Sequence, residues 1–562
     1  MRRPSSIVMA RLVRAMTIWR IPGRRNHIEN RSNREDIRMI FNSYVFLFGY
    51  LPIVLTGTFL LARIGATAAH IWLILMSLAF YAAWNAAYLP LLLGSIVFNY
   101  AVAIHMTRTG SDANRLWLLR LAVTANLGLL GYYKYTGFFL ENINTAMSTE
   151  YTWQALILPL GISFYTFQQL TLLADIGAGR IKNIRFRDFL LFVTFFPHLI
   201  AGPIVHHREM MPQFQKADYR LNLENLAVGL VLLSIGLFKK AVLADGIADH
   251  VTPIFQDAAS GKPITLVFAW AASVGFTLQM YFDFSGYSEM ALGLARMVGI
   301  KLPMNFNSPL KALSIIDYWS RWHITLTRFL TAYVYNPIAL ALTRRRVARG
   351  KQGLAGPRTT WRAFMAIVAL PTLATMFLSG LWHGAGNQYL IFGLLHGVAL
   401  VVNHAWRLAR PWFWPDTAHY QRITWPVAWL LTFLVGTLAL TWFHAASVAA
   451  GANIVMGMAG SHGFAPSAMI GPDDADLSVL AGHGGELITF YLWIAVLLGI
   501  ALIPPNTLEV MRSWQPAITM PAAAPRRPGF TLSPRWAFST AVLAVAGVLS
   551  LGRVSEFLYW QF

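Results

Sequence analysis

"LSGLWHGAGNQYLIFGLLHG" (residues 378–397) holds two imidazoles, His383 and His396, among Leu, Trp, Phe and five glycines. A polar ring in so apolar a stretch costs free energy unless the fold satisfies or uses it. The rest of the chain is just as apolar. Of its 562 residues, 56% are hydrophobic and 12% charged, whereas soluble domains carry about a quarter charged residues. This is membrane composition. The 20 tryptophans add ample material for interfacial belts.

Outward from that stretch, apolar runs approach the roughly 20 residues that a bilayer requires. They fall at 43–64, 67–84, 86–106, 115–139, 153–175, 187–205, 223–244, 264–284, 361–382, 387–407, 424–444, 486–504 and 536–552. Pro, Gln and His interrupt 153–175 and 187–205, which marks these two as broken or re-entrant helices. Such backbone persists at membrane depth only inside protein or along a cavity. The expected fold class is an all-α polytopic membrane protein with roughly 10–13 transmembrane and re-entrant helices. No internal repeat is evident, so inverted-repeat transporter symmetry finds no support.

The formal charge is +21, from 45 Lys+Arg against 24 Asp+Glu. The basic residues fall between apolar runs, where they hold loops in the cytoplasm, so nucleic acid is excluded as a partner. Residues 344–358 (RRRVARGKQGLAGPR) carry six basic and no acidic side chains and are placed in the cytoplasm. The Arg- and Pro-bearing segment 508–535 goes on the same side. Residues 459–486, with acids and no Lys or Arg, are placed on the outer face. Residues 1–38 hold ten Arg and three acids. They read as a basic cytoplasmic extension rather than a cleaved signal peptide, ahead of a membrane domain over 39–562. The absence of cysteine removes disulfides, zinc–thiolate sites and any thioester borne on the protein itself.

Three stretches carry candidate chemistry. In 281–310, Asp283 and Glu289 follow an apolar run; they are either functional acids or local ion partners of residues such as Arg296 and Lys301. In 317–346, Arg321, His323 and Arg328 sit among Trp319, Trp322 and Phe329, which also suits an amphipathic interfacial helix. In 378–397, thirteen residues of ideal helix would separate His383 from His396 by about 140° and roughly 20 Å, too far for one metal ion. No HExxH motif occurs, and the tandem His206–His207 has only Glu209 near it in sequence, so no metal site is expected.

A different pairing emerges by counting from the basic loop. His323 lies 21 residues before Arg344, and His383 lies 21 residues after Arg362. Two helical arms leaving that loop would bring both histidines to the same depth, with Pro337 and Pro371 shortening the arms alike. A neutral buried imidazole keeps a lone pair that can take a proton from an attacking alcohol, and a second can stabilise developing charge.

These stretches together resemble the membrane-bound O-acyltransferase family, and its bacterial branch that includes the alginate O-acetyltransferase membrane subunit. "FNSYVFLFGYLPIV" (41–54), "LPLGISFYTFQQ" (158–169), "FFPHLIAGPIVHHREMMPQF" (195–214) and "EFLYWQF" (556–562) extend the resemblance along the chain. It implies a ring of helices around a transmembrane tunnel, His383 of WHG as the catalytic base or acyl relay, and His323 of RWH assisting. Asp283, Arg321 and Trp382, in the same motifs, become candidate substrate-binding residues. It further implies a cytoplasmic acyl donor, acetyl-CoA or an acyl carrier, with no tightly bound cofactor. The acceptor would be an exported polysaccharide, with a periplasmic or extracytoplasmic acetyltransferase partner, at the cytoplasmic (inner) membrane among its lipids. His444 and Asn387 depart from the family pattern, which usually has Arg and an aromatic residue there. Two other readings compete: a proton-coupled transporter using Asp283, Glu289 and the histidines, and a non-catalytic scaffold of a polysaccharide-export complex.

Overall fold

The structure, a computed structural model, describes residues 39–562 except 155, 182, 352, 355–358, 465–476, 522–528 and 553–562, and gives only the backbone of 477–484. The 1–38 extension, the "EFLYWQF" ending and much of the acidic 459–486 loop therefore lie outside the described residues.

Helices account for all regular structure among the described residues. The first are α1 (Val45–Ile64) and α2 (Ala66–Arg108), the latter broken at Asn85, whose extended backbone and a 3₁₀ turn over Ala86–Tyr88 divide it into Ala66–Asn85 and Leu89–Arg108, where two spans were expected. A Gly131–Tyr135 π-turn joins α3 (Asp112–Leu130) to α4 (Thr136–Met147). The two segments expected to be interrupted are indeed short pieces: α5 (Ile162–Gly177), α6 (Phe186–Thr194) and α7 (Phe196–Leu199). Pro197 opens α7, and the chain then leaves the helix through Gly202 and Pro203. Next come α8 (His207–Lys216), α9 (Leu223–Ala259) and α10 (Leu266–Met297).

Beyond these lie α11 (Ile315–Arg321), then α12 (Ile324–Leu330), which a Thr331–Tyr335 π-turn joins to α13 (Asn336–Val347). The later helices are α14 (Trp361–His383), α15 (Asn387–Phe413), α16 (Thr417–His444), α17 (Val448–Met458), α18 (Leu477–Leu502) and α19 (Pro534–Leu549). Among the described residues, seven helical stretches are long and apolar enough to cross a membrane. They are α1, α2, α9, α14, α15, α16 and Gly485–Trp514.

The α9/α10 seam forms the centre of packing. A Cβ on Gly236 would lie 2.5 Å from the Gly286 carbonyl oxygen, and one on Gly286 would lie 2.7 Å from that of Gly236. Gly229 and Gly293 repeat the reciprocal contact one heptad away, at 2.6 and 2.5 Å. The antiparallel helices thus cross backbone on backbone, as small residues allow where lipid supplies no hydrophobic drive. This crossing sets Lys239 against Glu289 at 2.5 Å and Lys240 against Asp283 at 2.5 Å, with Asp245 2.7 Å from the same ammonium. Each buried acid is therefore paired across helices. Arg296, the local partner considered from sequence, instead reaches Glu224 at 3.5 Å.

The two arms that flank the basic loop are also observed. Pro337 and Pro371 do not break them. Each proline occupies the first turn after a π-turn, Thr331–Tyr335 in one arm and Met365–Ala369 in the other. The wider π-turn relieves the clash that a proline ring makes with the preceding turn. The α13 helix packs on the second π-turn, and α14 packs on the first, so the arms lie side by side.

Candidate active site

His383 is the last residue of α14, where Gly384 turns the backbone extended. Gly384 is required for a steric reason: a Cβ there would sit 2.1 Å from the Tyr389 ring. Gly380 and Gly393 likewise let α14 and α15 cross closely, since a Cβ on either would meet a carbonyl oxygen at 2.3 Å. The glycines of the opening stretch thus press His383 into a cage of rings. Its imidazole centroid lies 4.8 Å from Trp382, 5.5 Å from Phe392 and 5.2 Å from Phe443.

His323 sits between α11 and α12 with φ +42°, a left-handed conformation uncommon for a residue with a side chain. Such strain persists only where the surroundings over-determine it. Asn305 supplies that constraint. Its backbone carbonyl accepts from the Ile324 N–H at 2.9 Å, and its side-chain oxygen accepts from Thr325 N–H at 3.3 Å and Thr325 Oγ1 at 2.8 Å. The same oxygen lies 3.0 Å from His323 Nδ1. An oxygen already accepting from Thr325 leaves His323 Nδ1 as the donor. The neutral imidazole therefore carries its lone pair on Nε2.

Both histidines flank one indole: the Trp382 ring is 6.2 Å from His323 and 4.8 Å from His383. The sequence pairing of residues sixty apart is thus realised as two imidazoles sharing Trp382. His396 lies on the far side of Phe392, accepts from Trp319 Nε1 at 3.3 Å and stacks on Tyr318. That environment satisfies Nδ1 alone, since the buried Nε2 has no hydrogen-bond partner among the described residues. Of the other candidates, Arg321 is held by Asp317 at 2.8 Å and donates to the Asn307 carbonyl at 3.4 Å. Asp283 belongs to the ion cluster on the α9/α10 seam.

Near His323 lies a cavity of about 380 Å³ whose lining includes Thr325, Arg328, Phe329 and Tyr333, and Asp175, Arg180, His206, Arg208 and Glu209. Phe329 stacks on Phe167 at 4.4 Å, and Phe167 stacks on Trp382 at 5.8 Å, so an aromatic column links the cavity to the indole. Three guanidinium groups face two carboxylates here, leaving a net positive cavity. Arg328 clamps Glu209 through two bonds, at 2.8 and 3.0 Å.

Sequence spacing hid one cluster in this wall. Asp175 of α5 meets His206 at 3.2 Å and His207 at 3.6 Å, although it lies more than thirty residues upstream. Their ligand atoms lie within 4.8 Å of one another, close enough for one metal ion. Their chemistry fits an ion-pair node better. His206 Nδ1 accepts the Arg208 N–H at 3.3 Å, so its hydrogen is on Nε2, the atom facing Asp175 and Tyr333. Asp175 is already flanked by Arg180 at 2.8 Å and Arg208 at 3.4 Å. Burial pushes the His207 imidazole down to about 3, with the neighbouring His206 acting in the same direction. Burial also lowers His206, against the opposing pull of Asp175. Other contributors without an obvious sequence signal are Asn305, inside "NFNSPL", and Lys134, inside "GYYKY".

A helical membrane protein whose two buried imidazoles share one indole beside a cationic cavity has the parts for acyl transfer to a hydroxyl. Comparison with known proteins takes this class to a family. The model of the membrane-bound O-acyltransferase family matches residues 118–350. A protein of Helicobacter pylori named Peptidoglycan O-acetyltransferase is 42% identical over 457 residues, covering 76% of this chain and 80% of that protein. A Pseudomonas aeruginosa protein named Probable alginate O-acetylase AlgI is 34% identical over 418 residues, 72% of each chain. The Teichoic acid D-alanyltransferase of Bacillus subtilis is 29% identical over 244 residues, 43% of this chain and 58% of that protein. The chain belongs to the membrane-bound O-acyltransferase family. It is a multi-pass membrane protein and an O-acyltransferase.

Proposed function

We propose that this enzyme O-acetylates an exported polysaccharide, with peptidoglycan the favoured acceptor because the relative of that name shares 42% identity over most of the chain. The carrying observation is the His323–Trp382–His383 arrangement. His383 acts as general base: it takes the hydroxyl proton as that oxygen bonds to the acetyl carbonyl carbon. The carbon–sulfur bond of the donor thioester then breaks, and the thiolate recovers the proton. His323, presenting Nε2 as acceptor, assists by orienting the hydroxyl. The donor is acetyl-CoA or an acetylated carrier. The cationic cavity beside Thr325 suits the phosphates of either, because guanidinium groups bind such anions through paired bonds.

On this reading the helices ring a tunnel across the cytoplasmic membrane. The donor enters from the cytoplasm and the acceptor hydroxyl from the opposite side, either on the glycan or on an extracytoplasmic acetyltransferase that completes delivery. Replacing His383 with Ala is expected to abolish glycan O-acetyl groups in cells while the protein still accumulates in membranes. Undiminished acetylation overturns the assignment. Passage of an intact solute through reconstituted protein, without donor turnover, would favour the transporter.

A further inference from the structure

The helix that carries His383 ends without the usual backbone closure. At the end of α1, for comparison, the Gly65 N–H returns to the Leu61 carbonyl at 3.0 Å. At the end of α14 the chain turns extended at Gly384, and among the described residues no backbone N–H closes the last turn. The last carbonyls of a helix are orphaned unless side chains or water take them, and they carry the negative end of the helix dipole. Here two side chains from one distant turn take them. Tyr135 Oη donates to the Leu381 carbonyl at 2.9 Å, and the Lys134 ammonium donates to the Trp382 carbonyl. The ammonium also lies 6.0 Å from the centre of the Trp382 ring and 5.7 Å from that of Tyr135.

Both donors belong to the Gly131–Tyr135 π-turn between α3 and α4. In that wider turn, adjacent residues address adjacent carbonyls of another helix. The two bonds fix the peptide groups immediately before His383, and with them the direction in which its side chain leaves the backbone. They also hold Trp382, the indole shared by both imidazoles.

We propose that Lys134, seconded by Tyr135, is a positioning residue for His383: it caps the C-terminal end of α14 with charge and hydrogen bonds, and so sets the orientation of the base and of Trp382. This rests on the reading of His383 as the base.

The test is steady-state transfer from acetyl-CoA to a glycan acceptor by purified full-length enzyme and variants, normalised to folded protein. Lys134→Met is expected to lower kcat about tenfold or more while KM for acetyl-CoA stays within about twofold. Lys134→Arg, which keeps a cation for the same carbonyl, is expected to stay within about threefold of the unaltered enzyme. An unchanged kcat in Lys134→Met overturns the proposal. So does a loss confined to KM, which would make Lys134 a donor-binding group, and so does an equal loss in the Arg and Met variants. Should Lys134→Met not accumulate, Tyr135→Phe removes one hydroxyl alone. A kcat lowered about two- to fivefold at constant KM is then expected, and no change overturns the proposal. His383→Ala assayed alongside separates the two failures: full activity in that variant sinks the function proposed for His383, whatever Lys134 does.

Discussion

His323 Nδ1 lies 3.0 Å from Asn305 Oδ1, an oxygen that also receives the hydroxyl and amide hydrogens of Thr325. One side chain therefore fixes both the left-handed turn at His323 and the tautomer of its ring. Asn305→Ala removes the acceptor, and the ring can then rotate or shift its proton. We expect kcat to fall about tenfold, close to 1.4 kcal/mol in barrier. Asn305→Asp, which keeps an acceptor oxygen, should retain more activity than Asn305→Ala. Comparable losses in both, measured per folded protein, would show that the hydrogen bond to His323 does not matter.

Asp283 was a candidate for substrate contact, but its position against Lys240 gives it a packing task. Lys240→Met leaves Asp283 and Asp245 buried without their shared cation, and breaking a buried pair in this way costs about 3–5 kcal/mol. Thermal unfolding in detergent should report that loss. Asp283→Asn should lower stability while leaving KM for donor and acceptor unchanged. A raised KM with intact stability would return Asp283 to the substrate site.

The all-helical membrane architecture and the closeness of His323 and His383 to one indole were legible because both rest on long-range regularities, apolar run length and symmetric distance from a basic loop, whereas seven long apolar stretches stand among the described residues against the 10–13 transmembrane and re-entrant helices expected. Two features beyond local patterns were not legible. Pro337 and Pro371 read as interruptions, yet a π-turn before each absorbs the proline, and hydrophobic periodicity does not signal a one-residue insertion. The partners of the site, Asn305, Lys134 and Asp175, lie 18 to nearly 250 residues from the groups they hold. Their residue types are common in turns and helix ends, so nothing local distinguishes them until the chain is folded. Asp283 and Glu289 were recognisable as acids needing partners, but their lysines come from the facing helix, which a search along one helix does not find.

The reciprocal glycines of the α9/α10 seam make a separate prediction. Gly293→Ala would put a Cβ 2.5 Å from the Gly229 carbonyl oxygen and 2.9 Å from the Leu233 nitrogen, both backbone atoms that cannot turn aside. The helices must separate, and the expected cost is about 1–3 kcal/mol. Gly485, where an added Cβ meets nothing within 4 Å, is the control, and its Ala variant should be at least as stable as the unaltered protein, since Ala favours an exposed helix over Gly. Equal melting temperatures for the two variants would rule out close packing at this seam.

Acid should loosen the wall of the cationic cavity through His207. Burial holds this imidazole down at about 3 in the folded protein, whereas the unfolded chain titrates near the ordinary histidine value of about 6.5. Between those values the unfolded state binds the proton and the folded state does not, so folding stability rises with pH across that window. The contribution is whole above about pH 6.5 and is lost progressively as pH falls toward 3; from pH 7 to 5 the loss is about 2 kcal/mol. His207→Gln cannot titrate and should flatten that part of the stability–pH curve, measured by thermal unfolding at closely spaced pH values. His206, lowered for the same reason but opposed by Asp175, adds slope of the same sign, so flattening in His207→Gln should be partial and should increase when His206 is replaced too. A curve unchanged by both replacements would place the acid sensitivity elsewhere in the protein.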